Sequence, residues 1–303
     1  MLILSADSGE LSWDLLADLQ RLLHYAFMRN AYLAGTLVAL AAGLMGYFMV
    51  LRSQSFAGHS LANVGFAGAT GAFLFGIPTV IGLFLAGVLA AFGIHALNTE
   101  GQRESQQSDI AVGAVLTASF ALGFLFIHLS SAEYAANVYT VLFGNVLGVS
   151  LVDVWIIFYA TLLLLGVLAL IARPLFFASL DPDVAAVRGV PVRMLGLIYL
   201  VLLALMVAIA VQIVGVLLIF TLLVTPAAIA QLLSSRPAVA ATISVILALS
   251  FTWAGLAVGY FTPYPVIFYI TSFAFGTYLL ARLVPLAIHS ASTVWYSKKG
   301  VNV

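Results

Sequence analysis

Between residues 194 and 233 the chain carries no charged side chain. A helix on the surface of a soluble protein has an apolar stripe on one side and charge on the other. This stretch has no charged side, and at about 20 residues per crossing it is long enough to traverse a bilayer twice. The rest of the chain repeats the pattern. Of its 303 residues, 64% are hydrophobic and 7% charged, against about 25% charged in a soluble domain. Lipid must be most of this chain's solvent, and runs so uniformly apolar, without alternation, cross it as helices.

Such runs occupy residues 31–50, 56–75, 78–97, 110–129, 151–172, 194–213, 216–233, 238–260 and 265–284. Pro226 interrupts the short seventh run, so eight or nine transmembrane helices are expected. Residues 130–150, "SSAEYAANVYTVLFGNVLGVS", are too polar to cross and too apolar for a free loop, and are expected to form a short re-entrant or interfacial helix. Near the N-terminus, "LSWDLLADLQRLLHYAFMRN" sets leucines mainly on one helical face and charge on the other, which suits a helix lying in the interface plane. Asp7, Glu10, Asp14 and Asp18 make this start acidic, unlike a cleavable signal peptide. The fold class is thus an all-α polytopic membrane protein. It divides into an amphipathic interfacial segment (1–29), a transmembrane domain (30–285) and a C-terminal tail (286–303).

Basic residues set the expected orientation. Arg52, Arg103, Arg173, Arg188, Arg193, Arg236, Arg282, Lys298 and Lys299 all fall on one side of a nine-span arrangement, and only Arg21 and Arg29 on the other. By the positive-inside rule that side is cytoplasmic. The C-terminus is then expected in the cytoplasm and the N-terminus outside. One connection on the basic side, "NTEGQRESQQS", reads as a solvated connector. Another, "RPLFFASLDPDVAAVRGVPVR", holds a helix signal: Asp181 as cap, Pro182 and Asp183 in the first turn, then Val184, Ala185, Ala186, Val187 and Arg188, ended by Gly189 and Pro191. On local sequence alone it is equally a docking element or a well-formed turn.

Several function classes are absent from the sequence. It has no phosphate-binding GxxxxGK[ST] loop, no HExxH pair and no GxSxG elbow, so an enzyme is not expected and any ATP hydrolysis belongs to a separate subunit. The absence of cysteine excludes disulfides and thiolate metal sites. A formal net charge of zero, with no long basic run, argues against nucleic acid as a partner. No span is arginine-rich, which excludes a voltage sensor.

Three blocks in order resemble the permease subunits of the ABC-3 class of manganese, zinc and iron importers. They are "GYFMVLRSQSFAGHSLANVGFAGATGA", "SDIAVGAVLTASFALGFLFI" and "DPDVAAVRGVPVRMLGLIYLVLLALMVAIAVQIVGVLLIFTLLVTPAAIAQLL". "VYTVLFGNVLGVS" is similar to the short helix preceding the fifth span in that class, and the resemblance runs from about residue 30 to 285. It implies a permease domain in the plasma membrane of a prokaryote, embedded in lipid and working as a homodimer. Cytoplasmic ATP-binding subunits would dock on the helix running from Asp181 to Gly189, and an extracytoplasmic solute-binding protein would deliver the metal. No tightly bound cofactor is implied, only a transported divalent ion: zinc, manganese or iron.

His59 and Asn63 stand four apart in a helix of small residues, and so share a face. An imidazole and a carboxamide oxygen can together hold a divalent metal transiently, with further ligands from a symmetry mate. The same pair can instead simply hydrogen-bond within a helix bundle. Members of the resembled class carry Gly-Asp-x-x-x-His here, whereas this chain reads Gly58-His59-Ser60-Leu61-Ala62-Asn63 and lacks the carboxylate. Glu133, with His128 and Asn137, is a further place for an entering cation to meet charge. Gln212, Asn145 and Asp153 read as contacts for a binding protein or as helix caps, and Thr225-Pro226 as a kink. Two other transport readings stand beside this one. A vitamin B12 or metal-chelate importer usually has an extra N-terminal span, and an ATP-independent transporter would show inverted repeats and a charged midplane site.

Overall fold

The computed structural model describes residues 24–97, 105–130, 141 and 143–298. Residues 1–23 of the expected interfacial segment (1–29) lie outside the described residues, as do Arg103, Glu133 and Asn137, while its residues 26–29 begin the first helix. Helix α1 spans Ala26–Leu51, α2 Ser55–Phe75, α3 Thr79–Leu97 and α4 Ser105–Leu129. A 3₁₀ turn, Val146–Gly148, leads into α5, Leu151–Leu180, and then into the short α6, Pro182–Val187. Three long helices follow: α7 over Val192–Leu233, α8 over Pro237–Phe261 and α9 over Val266–Lys298. No β-strand occurs among the described residues.

Helix α7 is the centre of the bundle. It packs against α1, α2, α3, α5, α8 and α9, and 78% of its most apolar stretch is buried, against 17% in α4. Its 42 residues would reach about 63 Å as one straight rod, twice the bilayer's hydrocarbon. The chain avoids this by reversing at Gly215, where φ is 79° and ψ 164°. That conformation is open essentially to glycine alone. Two contacts show the reversal. The Tyr199 hydroxyl donates to the Met45 carbonyl at 2.7 Å, and a Cβ on the adjacent Gly46 would fall on the Leu223 carbonyl. A continuous helix would hold residues 199 and 223 about 36 Å apart; here both meet one turn of α1.

The break therefore sits at Gly215. Pro226, the expected kink, lies within helical backbone. Seven of the helices are long and apolar enough to cross a bilayer. Counting the two halves of α7 separately gives eight, and α2 is 21 residues long, its hydropathy lowered by His59, Asn63, its hydroxyl residues and its glycines. Small residues let α2 approach closely: a Cβ on Gly68 would lie 2.5 Å from the Gly82 carbonyl oxygen of α3. Ser244 of α8 likewise donates to the Gly43 carbonyl of α1 at 2.8 Å. Arg52, Arg188 and Arg236 cap elements at one end of this bundle, Arg193 lies in the first turn of α7 there and Arg173 two turns before the end of α5, and Arg29 is at the opposite end.

The 3₁₀ turn lies within the described part of the expected re-entrant segment. Asn30 at the start of α1 donates to the Val149 carbonyl at 3.1 Å, which anchors the turn to the end opposite Arg52. Just before it, Gly144 lies against the α7 reversal, where an added Cβ would meet the Gly215 amide nitrogen at 2.5 Å. Helix α5 starts with a reciprocal cap: Ser150 Oγ accepts from the Asp153 amide at 3.2 Å, and Asp153 Oδ2 accepts from the Ser150 amide at 3.0 Å.

Candidate functional site

His59 lies one turn into α2 from the basic end, and both it and Asn63 are half-buried. Asn63 Nδ2 lies 3.2 Å from His59 Nε2 and also donates to the His59 carbonyl at 2.9 Å. With the carboxamide donating, Nε2 accepts and the ring proton sits on Nδ1. Nδ1 is buried and has no hydrogen-bond partner. The imidazole meets the Phe220 ring of the returning half of α7 edge-on, at 4.7 Å between centroids. The pair is thus together on one face, as its spacing requires. Asn63 therefore bonds both the ring and the carbonyl of His59, and its amide occupies the lone pair of Nε2. Among the described residues no three His, Asp or Glu side chains are grouped to hold a metal ion.

At the basic end, α6 forms as the sequence spacing requires. Asp181 Oδ1 accepts from the amides of Asp183 and Val184 at 3.1 and 3.0 Å, so the orphan donors of the first turn are satisfied. Ala185 is fully buried beneath the helix, while Val187 is 90% exposed. Arg188 stacks over the Phe177 ring at 5.7 Å and holds the turn against the end of α5.

Arg52 lies in a notch between the two helices that flank α6. Its guanidinium sits 5.7 Å from the centroid of the Tyr199 ring in α7. Its Nη1 donates to Ser179 Oγ in the last turn of α5, and its Nε to Gln54 Oε1, both at 3.3 Å. Burial pulls this guanidinium below its ordinary value, partly offset by Tyr199.

The opposite end holds a cavity of about 360 Å³ whose lining includes Thr79, Asn145, Asp153 and Gln212. The last three, read separately in the sequence, therefore converge. Two of them are already engaged: Asn145 Oδ1 accepts from the Gly148 amide at 3.1 Å, and Asp153 caps α5. His128 is an exposed residue at the end of α4, His24 meets the Tyr25 ring edge-on, and His95 closes α3 at the basic end.

Residues 24–284 match the ABC 3 transport family. The chain belongs to this family. The manganese transport system membrane protein MntC of Halalkalibacterium halodurans is 33% identical over 71% of this chain and 73% of its own length. The manganese import system permease protein ScaB of Streptococcus parasanguinis is 33% identical over 69% and 72% respectively. Among solved structures, PsaBC from Streptococcus pneumoniae in complex with Fab superimposes with a TM-score of 0.77 at 27% identity, covering 88% of this chain and 94% of that one. A metal-chelate type ABC transporter in an inward-facing conformation shares the fold, with a TM-score of 0.67 at 17% identity.

As an ABC 3 family permease the chain has the all-α polytopic fold that its hydropathy requires. In the sequence Arg52 orients the spans and stands in the first block of the family resemblance, whereas neither Tyr199 nor Ser179 stands out. The available signal was a lone arginine at the end of the first span and a lone tyrosine near the start of the sixth. Their meeting depends on how α5 and α7 return to α1, which no local pattern contains.

Proposed function

We propose that this chain is the membrane-spanning permease subunit of an ATP-driven importer of a divalent transition metal, with manganese as its cargo. The observation that supports it most directly is the build of α6. A capped helix at the arginine-rich end presents an exposed valine, Val187, while a buried alanine seats its other side. A hydrophobic knob on a rigid base at that end suits docking by a cytoplasmic ATP-binding subunit. The manganese systems named for its relatives supply the cargo. In this reading the arginine-rich end faces the cytoplasm, a second copy completes the path, and an extracytoplasmic binding protein delivers the ion opposite. His59 and Asn63 line the path and touch the ion in passing. A pair without a carboxylate attracts a divalent cation weakly, which favours release over retention and leaves selectivity to the binding protein.

The test is whole-cell metal content by mass spectrometry, in a bacterial host stripped of its own high-affinity importers. The permease is expressed with its ATP-binding subunit and binding protein. Manganese accumulation is the expected outcome, and selective accumulation of zinc or iron would reassign the cargo. A complex that hydrolyses ATP without accumulating any of the three overturns the reading.

A further inference from the structure

Arg52 joins the end of α1 to the two helices on either side of α6. Ser179, which receives its Nη1 proton, lies two residues before Asp181, the cap of α6. Tyr199, on which the guanidinium stacks, lies in the first turns of α7, just after α6. An added Cβ on Gly196, one turn earlier, would lie 3.5 Å from Arg52 Nη2. The guanidinium therefore contacts the helix entering α6 and the helix leaving it.

Arg52 is also joined to the start of α2. Its Nε donates to Gln54, the residue that precedes Ser55 at the start of that helix. Between them Ser53 has a φ of 54°, the sole non-glycine residue at positive φ among the described residues. The turn is closed by Ser53 and Gln54 amides donating back to Val50 and Met49 at 3.0 and 2.9 Å. A single tight turn thus separates Arg52 from the start of α2, and His59 lies one turn into that helix.

All the described partners of Arg52 are uncharged. A half-buried cation would be held more firmly by a carboxylate. Neutral contacts at 3.3 Å and a ring at 5.7 Å form a weaker grip, one that can be remade when the flanking helices shift. We propose that Arg52 is the positioning residue that transmits movement of the ATPase-docking helix α6 to α2 and its His59–Asn63 pair. The inference rests on the docking role proposed for α6.

The experiment uses the complete complex in proteoliposomes. The chain has no cysteine, so Ser55→Cys supplies a single label at the start of α2. Maleimide labelling of that residue is compared between nucleotide-free and vanadate-trapped states, alongside ATP hydrolysis and manganese uptake. In the Arg52 background the labelling rate is expected to change with nucleotide. In Arg52→Ala the change disappears and uptake per ATP falls about fivefold or more, the lower range of allosteric coupling, while hydrolysis persists. Arg52→Lys restores part of the response, and Ser179→Ala, which removes one contact, weakens it. An unchanged labelling response in Arg52→Ala overturns the proposal. So does a parallel loss of hydrolysis and labelling in both Arg52→Ala and Ser179→Ala, which would make Arg52 part of docking or folding alone. If labelling responds to nucleotide through Arg52 but no metal enters, the cargo assignment fails while the transmission role stands. A complex with no nucleotide response at all overturns both.

Discussion

His59 Nε2 and Asn63 Nδ2 face each other at 3.2 Å across one turn of α2, so the carboxamide occupies the lone pair with which the imidazole would take a cation. An ion entering here must displace a hydrogen bond and finds no carboxylate to offset its charge. Replacing Asn63 by Asp supplies that charge without changing the side chain's shape. Asn63→Asp is expected to lower the KM for manganese uptake on the order of tenfold, the factor given by about 1.4 kcal/mol of added attraction. It is also expected to lower the maximal rate, because release slows. Uptake kinetics in proteoliposomes test this; an unchanged KM would show that the pair does not meet the ion. His59→Ala, in the same assay, should reduce uptake while leaving the protein inserted.

The reversal of α7 depends on one residue. Gly215, at φ 79° and ψ 164°, lies where an L side chain costs about 1–3 kcal/mol. Gly215→Ala should lower the melting temperature of the detergent-purified permease. Gly144→Ala should do so as well, because its Cβ would press on the same backbone. Pro226→Ala leaves the fold intact, since the chain does not break there. Thermal unfolding followed by size-exclusion chromatography separates the three.

Helix α6 is short, so its cap matters. Asp181 satisfies the amides of Asp183 and Val184, and Asp181→Ala should loosen the turn by about 1 kcal/mol. Val187 is 90% exposed, so Val187→Asp should leave the permease folded. The same change should abolish co-purification of the ATP-binding subunit. Retained co-purification and hydrolysis in Val187→Asp would remove α6 from the docking surface.

Tyr199 is fully buried and its hydroxyl reaches the Met45 carbonyl at 2.7 Å. Tyr199→Phe keeps the ring beneath Arg52 and loses only this hydrogen bond. The expected cost is about 0.6–2 kcal/mol of stability, the range for such bonds between membrane helices, with transport coupling preserved. Tyr199→Ala removes the ring too and should impair coupling. Equal coupling losses in the two variants would place the effect in the hydroxyl rather than in the stacking.

The legible part of this protein is the part governed by solvent. Lipid rewards long uncharged runs, so the crossings stand out along the chain, and the scarcity of charge marks the connections between them. The α6 cap was legible too, because Asp181, Pro182 and Asp183 act on amides within three residues of themselves. His59 and Asn63 share a face for the same local reason, one helical turn.

Tertiary structure decided the remainder. The α7 break falls at Gly215 and not at Pro226, because a proline within a helix can be accommodated, whereas the fold-back needs a backbone conformation that glycine supplies. Asn145, Asp153 and Gln212 converge on one cavity through the packing of the 3₁₀ turn against α7. Arg52 reads in the sequence as one more charge on the basic side. It becomes a junction only because α5 and α7 return to the same end of α1 and bring Ser179 and Tyr199 to it. Hydropathy acts residue by residue along the chain, whereas a contact between residues 52 and 199 exists only once the helices have packed.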